Sequence, residues 1–143
     1  MRTGERFRAS RRRSSSGLAL AALLVFVAIG CNETNSPDPD FHQRSVDACS
    51  IVAKASNDLT TLLQNYPGNP SAAVAALTDM VALLQNAEDT SPAPSGLRAD
   101  IISTRELAAG LKSAIQAGQP GGTGPLVLAF GTLGNDCSVI LGG

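Results

Sequence analysis

Apolar residues return at helical spacing in four segments of this chain, and this pattern leaves few folds open to it. Within each segment they recur at steps of three and four residues, which places them on one face of an α-helix. The four segments are 43–66, 70–87, 96–117 and 125–141. Breaks that contain Pro or Gly separate them, and short connections of this kind favour antiparallel neighbours. The sequence therefore predicts an all-α fold, an up-down-up-down four-helix bundle.

The residues predicted to face the core form one stripe in each segment. In segment order they are Val46, Cys49, Val52, Ala55, Leu59, Leu62 and Tyr66; Val74, Leu77, Val81 and Leu84; Leu97, Ile101, Thr104, Ala108, Leu111 and Ile115; and Leu126, Phe130, Leu133, Cys137 and Ile140. Asn69 and Pro70 together indicate a helix start, since Asn caps a helix and Pro suits its first position. Ser95 is predicted to cap the third helix and Gly118 to end it. Glu88 is expected at the solvent-exposed end of the second helix.

The fourth segment leaves alternatives open because it contains two glycines. Gly131 and Gly134 each cost about 1 kcal/mol relative to Ala inside a helix, and 126–130 taken alone would also suit a buried strand. A helix is the preferred interpretation, because a lone strand would have no second strand to pair with. The glycines are expected either to allow close helix approach or to leave a groove beside Phe130 and Leu133 for an apolar ligand.

Charge is divided unevenly along the chain. Residues 1–30 hold six Arg and one Glu, a net charge of +5, whereas residues 31–143 carry a net charge of −6. The basic part leads into an uncharged apolar run at 17–30. As a helix this run would span about 21 Å, which is short for a hydrocarbon core about 30 Å thick but suits the apolar region of a signal peptide. The positive charge ahead of it favours export of the rest of the chain.

The apolar run ends in Ala28-Ile29-Gly30-Cys31. This motif resembles the lipobox of bacterial lipoprotein signal peptides, although Ala28 stands where that family usually has Leu. The resemblance implies that Cys31 receives a diacylglycerol with fatty acyl chains such as palmitate and becomes the new N-terminus. The chain is also similar to small secreted helical lipoproteins of actinobacteria, for which no activity is known. The implied location is the extracytoplasmic face of the cell membrane, held there by lipid. The alternative is an ordinary cleaved signal, or an uncleaved anchor, that happens to end in Cys.

These features predict three parts. Residues 1–30 form the lipoprotein signal peptide, 31–40 the acylated Cys and a polar tether, and 41–143 the helical bundle domain. The tether is predicted because 32–40 is acidic, contains two Pro and lacks apolar periodicity.

The two remaining cysteines form an even pair, as is expected of an exported domain. Cys49 lies near the start of the first segment and Cys137 near the end of the fourth. The first and last helices of such a bundle are adjacent and antiparallel, so both residues are expected at the same end. Export would place them in an oxidising compartment, where disulfides persist. The sequence predicts a Cys49–Cys137 disulfide, with two free buried thiols as the alternative.

Candidate chemistry is sparse in this sequence. His42, the only His, is expected to be exposed ahead of the first helix, and a haem in the bundle would have Tyr66, Met80 or His42 as its axial ligand. The Gly-rich stretch 121–124 opens a helix, as a phosphate site would, but it lacks a following Lys and a preceding strand, so a flexible linker is preferred. The acidic residues are expected to lie singly on solvated helix faces. They are Asp47, Asp58, Asp79, Glu88, Asp89, Asp100, Glu106 and Asp136.

Composition argues against several classes of function. Aromatic residues make up 3% of the chain and Trp is absent, which argues against a stacking platform for single-stranded nucleic acid. The chain from Cys31 onward, with a net charge of −6, would be repelled by phosphate backbones. Three Cys and one His spread along the chain do not suggest a zinc site, so neither a metal nor another cofactor is expected.

The resulting hypothesis is a non-enzymatic, membrane-anchored envelope lipoprotein whose helical bundle is an extracytoplasmic interaction or structural module. Its expected partners are the membrane, through the N-terminal lipid, and either an envelope protein or an apolar ligand, but no nucleic acid. The alternative is a carrier or binder of a small apolar ligand, a lipid or a haem, in the bundle. A hydrolase is the third class, and it would need polar groups that converge in a cleft.

Overall fold

The computed structural model describes residues 39–142, and the regular structure in this range is α-helical. The four helices are α1 (Pro39–Asn65), α2 (Pro70–Thr90), α3 (Gly96–Gln116) and α4 (Gly124–Gly142). Each helix packs against the next in the chain, and α4 packs against both α3 and α1. The predicted all-α four-helix bundle is therefore confirmed. The predicted signal peptide, Cys31 and nearly all of the tether lie outside the described residues.

The helix boundaries differ from the sequence predictions at two places. α1 begins at Pro39, four residues before the predicted start and within the predicted tether. Pro suits this position because the first turn of a helix needs no N–H donor there and because its φ is already helical. α2 continues to Thr90, so that Glu88 is not at an open end. α4 is helical throughout, which excludes the strand alternative for 126–130.

The predicted caps are confirmed. The Asn69 side chain accepts a hydrogen bond from the Ala72 backbone N–H at 3.1 Å, and the Ser95 hydroxyl accepts one from Arg98 N–H at 3.1 Å. Gly118 ends α3 with a φ of +70°, a conformation that favours Gly over residues with a Cβ. Its N–H donates to the Ile115 carbonyl at 3.0 Å, which satisfies a carbonyl that the helix end would otherwise leave free.

The core follows the predicted stripes closely in α3 and α4. All six predicted α3 residues are buried, and in α4 only Ile140 is half-buried rather than buried. In α2 the stripe is shifted, because Val74 and Val81 are half-buried while Met80 is fully buried. Small residues account for the shift. The buried Ala residues of the core are Ala48, Ala55, Ala73, Ala76, Ala87 and Ala108. Ala is a weak marker of the core in sequence, but it allows helices to approach closely.

A disulfide joins the first and last helices. Cys49 of α1 and Cys137 of α4 are bonded, with their Cα atoms 5.4 Å apart. Both residues are buried. The bond places the N-terminal part of α1 beside the C-terminal part of α4, as the bundle topology requires. The predicted pairing is confirmed, and the free-thiol alternative is excluded.

Candidate functional site

The three residues considered as haem ligands do not come together. His42 lies in α1, where it is exposed, and not ahead of the helix as predicted. Tyr66 follows the other end of α1, about 36 Å away along the helix axis at about 1.5 Å per residue. Met80 is fully buried in the core. The Tyr66 hydroxyl accepts a hydrogen bond from the Gly121 backbone N–H at 3.0 Å. These positions therefore give the haem alternative no support.

Gly131 and Gly134 do not allow close helix approach. Both lie on the exposed side of α4, and a Cβ at either position would have nothing within 4 Å. Phe130 and Leu133, one position before each, point into the core. A single residue turns a helix by about 100°, so the glycines face away from the neighbouring helices. Both predictions for them, close approach and a groove, are wrong.

A cluster of charged side chains closes the C-terminal end of α2. The Glu88 carboxylate lies between two guanidinium groups, with Arg98 Nη2 3.6 Å from Oε1 and Arg105 Nη2 3.3 Å from Oε2. Only 14% of the Glu88 side chain is exposed. Arg98 and Arg105 are seven residues apart on α3, two helical turns, so both face the same neighbour. The prediction of a solvent-exposed Glu88 is wrong, since α2 continues past it and α3 packs over it.

The same cluster satisfies carbonyl groups at the end of α2. Arg44 of α1 donates through Nε to the Thr90 carbonyl at 3.1 Å and through Nη2 to the Ser91 carbonyl at 3.3 Å. Arg98 donates to the carbonyls of Glu88 and Ser91. The last carbonyls of a helix lack partners within it, and the helix dipole places negative charge there. The arginines thus join α1, α2 and α3 at one point. These contacts give the arginines a structural role at the end of α2.

Sequence reasoning missed this cluster. The acidic residues were expected to lie singly, and the arginines were counted only as net charge. One signal was present, namely the spacing of seven between Arg98 and Arg105 on a segment predicted to be helical. It could not identify Glu88 as the partner, because the rotation of α2 about its own axis is set by its small core residues.

Two further carboxylates, Asp136 and Asp58, each lie near an acidic residue of a neighbouring helix. Burial raises the pKa of Asp136 above its ordinary value, and Asp100 on α3 raises it further through a side-chain hydrogen bond and by charge repulsion. Burial also raises the pKa of Asp58 on α1, with a smaller contribution from the charge of Asp79 on α2. Asp58 and Asp136 are therefore half-buried near a second carboxylate and do not lie singly on solvated faces as predicted, whereas Asp79 is exposed as predicted.

A groove of about 430 Å³ lies between α3 and the start of α4. Most of its lining is apolar or small, with Glu106 and Ser103 as polar members. The apolar and small lining residues include Leu107, Gly110, Leu111, Ala114, Gly121 and Leu126. It lies at the end of the bundle away from the disulfide. This place differs from the groove predicted beside Phe130 and Leu133, which are both buried in the core.

The Gly-rich stretch 121–124 is held against the bundle. The Gly121 N–H donates to Tyr66, so this donor is not free for a phosphate. A Cβ on Gly121 would overlap Leu111 Cδ1, which shows how closely the loop packs on α3. The expected flexible linker is thus tied to Tyr66, just after α1, and to α3, and it forms one wall of the groove.

Two surveys of the described residues bear on function. No group of three or more His, Cys, Asp or Glu within 39–142 is arranged to hold a metal ion. In the same range one helix, α4, is long and apolar enough by length and composition to cross a membrane. Four residues of α4 are buried in the bundle. The hydropathy of α4 therefore comes partly from these core residues and partly from apolar residues on its outer side.

In comparisons with known proteins, no protein-family model matches the chain, and no curated protein or solved structure matches it significantly.

Proposed function

We propose that this protein is a membrane-anchored, extracytoplasmic lipoprotein whose helical bundle is a non-enzymatic interaction or structural module. The observation that carries the proposal is the Cys49–Cys137 disulfide between the first and last helices. Disulfides persist in oxidising compartments outside the cytoplasm. The N-terminal sequence would bring the domain there, because it joins a basic stretch, an apolar run and a small residue followed by Cys31.

The polar groups of the described domain support a non-enzymatic role. The one half-buried ionic cluster, around Glu88, satisfies the end of α2 and joins three helices. General acid–base or nucleophilic catalysis needs groups that converge on a space for substrate. The groove between α3 and α4 has one carboxylate, Glu106, and one hydroxyl, Ser103, in its lining. This is a poor set for hydrolysis.

The anchor is tested by labelling cells with an alkyne-tagged fatty acid. The native chain should incorporate the label, and Cys31→Ser should abolish it because the acceptor thiol is gone. The double variant Cys49→Ser/Cys137→Ser is the matched control, since it keeps Cys31 as its only cysteine and should remain labelled. Label on Cys31→Ser, or none on the native chain, would refute the lipoprotein proposal.

The groove favours a second candidate, a binder of a small apolar ligand. Its volume of about 430 Å³ lies within the range of small-molecule sites, and its lining is mostly apolar. A Cβ on Gly110 would meet open space, so Gly110→Leu should fill the groove without disturbing the core.

Native mass spectrometry tests this candidate. It should show a bound lipid on the native domain but not on Gly110→Leu. The control Ala82→Leu, on the exposed side of α2, should keep it. A bare mass for the native domain would exclude this candidate.

A further inference from the structure

The outer surface of α4 is unlike that of the other three helices. Four of the seven large apolar side chains that are exposed in the described residues belong to α4. They are Val127, Leu128, Val139 and Leu141. Leu128 and Val139 are the most exposed, at 75% and 76%. They are eleven residues apart, about three turns, so they lie on the same side of the helix.

This surface carries no charge. Within α4 the one ionisable side chain is Asp136, which is half-buried beside α3. In contrast, the other helices each expose charged side chains, for example Lys54 on α1, Asp79 on α2 and Glu106 on α3. A bundle of net negative charge thus has one uncharged side, which an anionic surface does not repel.

The polar groups on this side are suited to a surface of low water content. The Ser138 hydroxyl donates to the Asn135 carbonyl at 2.7 Å, and the Thr132 hydroxyl donates to the Leu128 carbonyl at 3.4 Å. Both hydroxyls therefore have a partner within the helix, which lowers the cost of removing them from water. We define the α4 outer surface as Val127, Leu128, Thr132, Asn135, Ser138 and Val139.

The short chain between the proposed lipid and the bundle keeps a membrane within reach of α4, which favours the membrane as the occupant. Cys31 is eight residues before Pro39, the first residue of α1. Eight residues span at most about 29 Å even when fully extended. Neighbouring helices lie about 8–10 Å apart, and α4 packs directly against α1. The lipid on Cys31 and the α4 outer surface can therefore lie in the same membrane.

We propose that the α4 outer surface docks on the lipid headgroup region of the membrane that anchors Cys31, so that α4 lies along the membrane plane. This inference rests on the proposed lipoprotein function. The anchor holds α4 at a high effective concentration near the lipid, so a modest apolar area is sufficient for docking. Leu128 and Val139 reach the acyl boundary, and Thr132, Asn135 and Ser138 lie beside them at headgroup depth.

The chain contains no Trp, which allows a direct test with single-Trp variants of the lipidated protein. Val139→Trp and Leu128→Trp place the reporter on the α4 outer surface. The matched control is Ala82→Trp on the exposed side of α2, a helix that packs between α1 and α3. The proteins are reconstituted into phosphatidylglycerol–phosphatidylcholine vesicles, with and without brominated acyl chains, and flotation is measured in parallel.

Docking predicts that both α4 reporters shift to shorter emission wavelength on reconstitution and lose most of their emission to brominated lipid. Ala82→Trp should show neither change. If the proteins float but the α4 reporters remain unquenched, the docking inference is wrong while the anchor stands. If native protein fails to float, the anchor and the docking are both wrong. If the same blue shift occurs in detergent without lipid and sedimentation shows a dimer, the docking inference is wrong. The α4 outer surface would then contact a second copy of the chain.

Discussion

At the scale of single residues, the glycines of α4 are expected to limit stability rather than to serve packing. A Cβ at Gly131 or Gly134 would meet open space, so only the helix propensity of Gly remains. We predict that Gly131→Ala and Gly134→Ala each raise the free energy of unfolding by about 1 kcal/mol, measured by urea denaturation of the domain.

Gly118→Ala is the control for this prediction. Gly118 has a φ of +70°, where a Cβ is strained, so the same substitution should lower stability by about 1 kcal/mol. A loss of stability in Gly131→Ala would contradict the exposed position of that residue in α4.

Glu88 is expected to be the most important carboxylate for stability. It is mostly buried between Arg98 and Arg105, so Glu88→Gln removes the charge that compensates both guanidinium groups while keeping the shape. Because the two arginines remain partly exposed, we predict a loss of about 1–2 kcal/mol, less than for a fully buried pair. The free energy of unfolding is measured by urea denaturation.

Glu106→Gln is the control, because Glu106 is exposed on α3 and lies outside any such cluster. It should change the free energy of unfolding by less than about 0.5 kcal/mol. Equal losses in the two variants would contradict the assigned role of Glu88.

At the scale of elements, the contact between α3 and α4 should weaken as the pH rises. The pKa of Asp136 is raised in the folded state by burial and by Asp100, so the folded state binds this proton more tightly than the unfolded state. The stability that protonation supplies is present at low pH and is lost as the pH rises through the raised pKa.

Asp136→Asn removes that dependence. We predict that the melting temperature of Asp136→Asn exceeds that of the native domain by an amount that grows as the pH rises from the ordinary Asp pKa of 3.8 through the raised pKa of Asp136. Asp89→Asn, at an exposed site, should show no such trend. A difference between Asp136→Asn and the native domain that stays constant over this range would contradict the pairing of Asp136 with Asp100.

The elements themselves were largely predictable from the sequence. Caps such as Asn69 and Ser95 are local signals, because a side chain satisfies backbone groups three residues away, and the structure has them as predicted. The stripe of α3 was also predictable, since one large residue per turn marks its inner face. The rotation of α2 was not, because Ala73, Ala76 and Ala87 are buried without a strong hydropathy signal.

The candidate sites were less predictable than the helices. The disulfide followed from topology, since a closed bundle brings the ends of its first and last helices together. The arginines around Glu88 and the groove beside Gly121 depend on how helices rotate and how a loop packs, and no sequence spacing determines either. The exposed glycines of α4 show the same limit, because Gly carries no hydropathy that would indicate its face.

At the scale of the whole molecule, the disulfide is expected to supply a large part of the stability. It closes a loop with a sequence separation of 88 residues, worth about 4–5 kcal/mol in the chain-entropy model. A domain of this size is stable by only about 5–15 kcal/mol in total. We predict that a reductant lowers the urea midpoint of the domain substantially. Cys49→Ala/Cys137→Ala should have the same low midpoint with or without reductant. An unchanged midpoint on reduction of the native domain would contradict this assignment.

The central claim is that the chain is exported, lipidated at Cys31 and oxidised. It is tested most directly by intact mass spectrometry, without reductant, of the full-length protein expressed in a bacterium and isolated from its membranes. We predict a chain that begins at Cys31, carries the added mass of a diacylglycerol, and gains the mass of two hydrogens on reduction of Cys49–Cys137. An N-terminus elsewhere, or a Cys31 without added lipid, would contradict the claim.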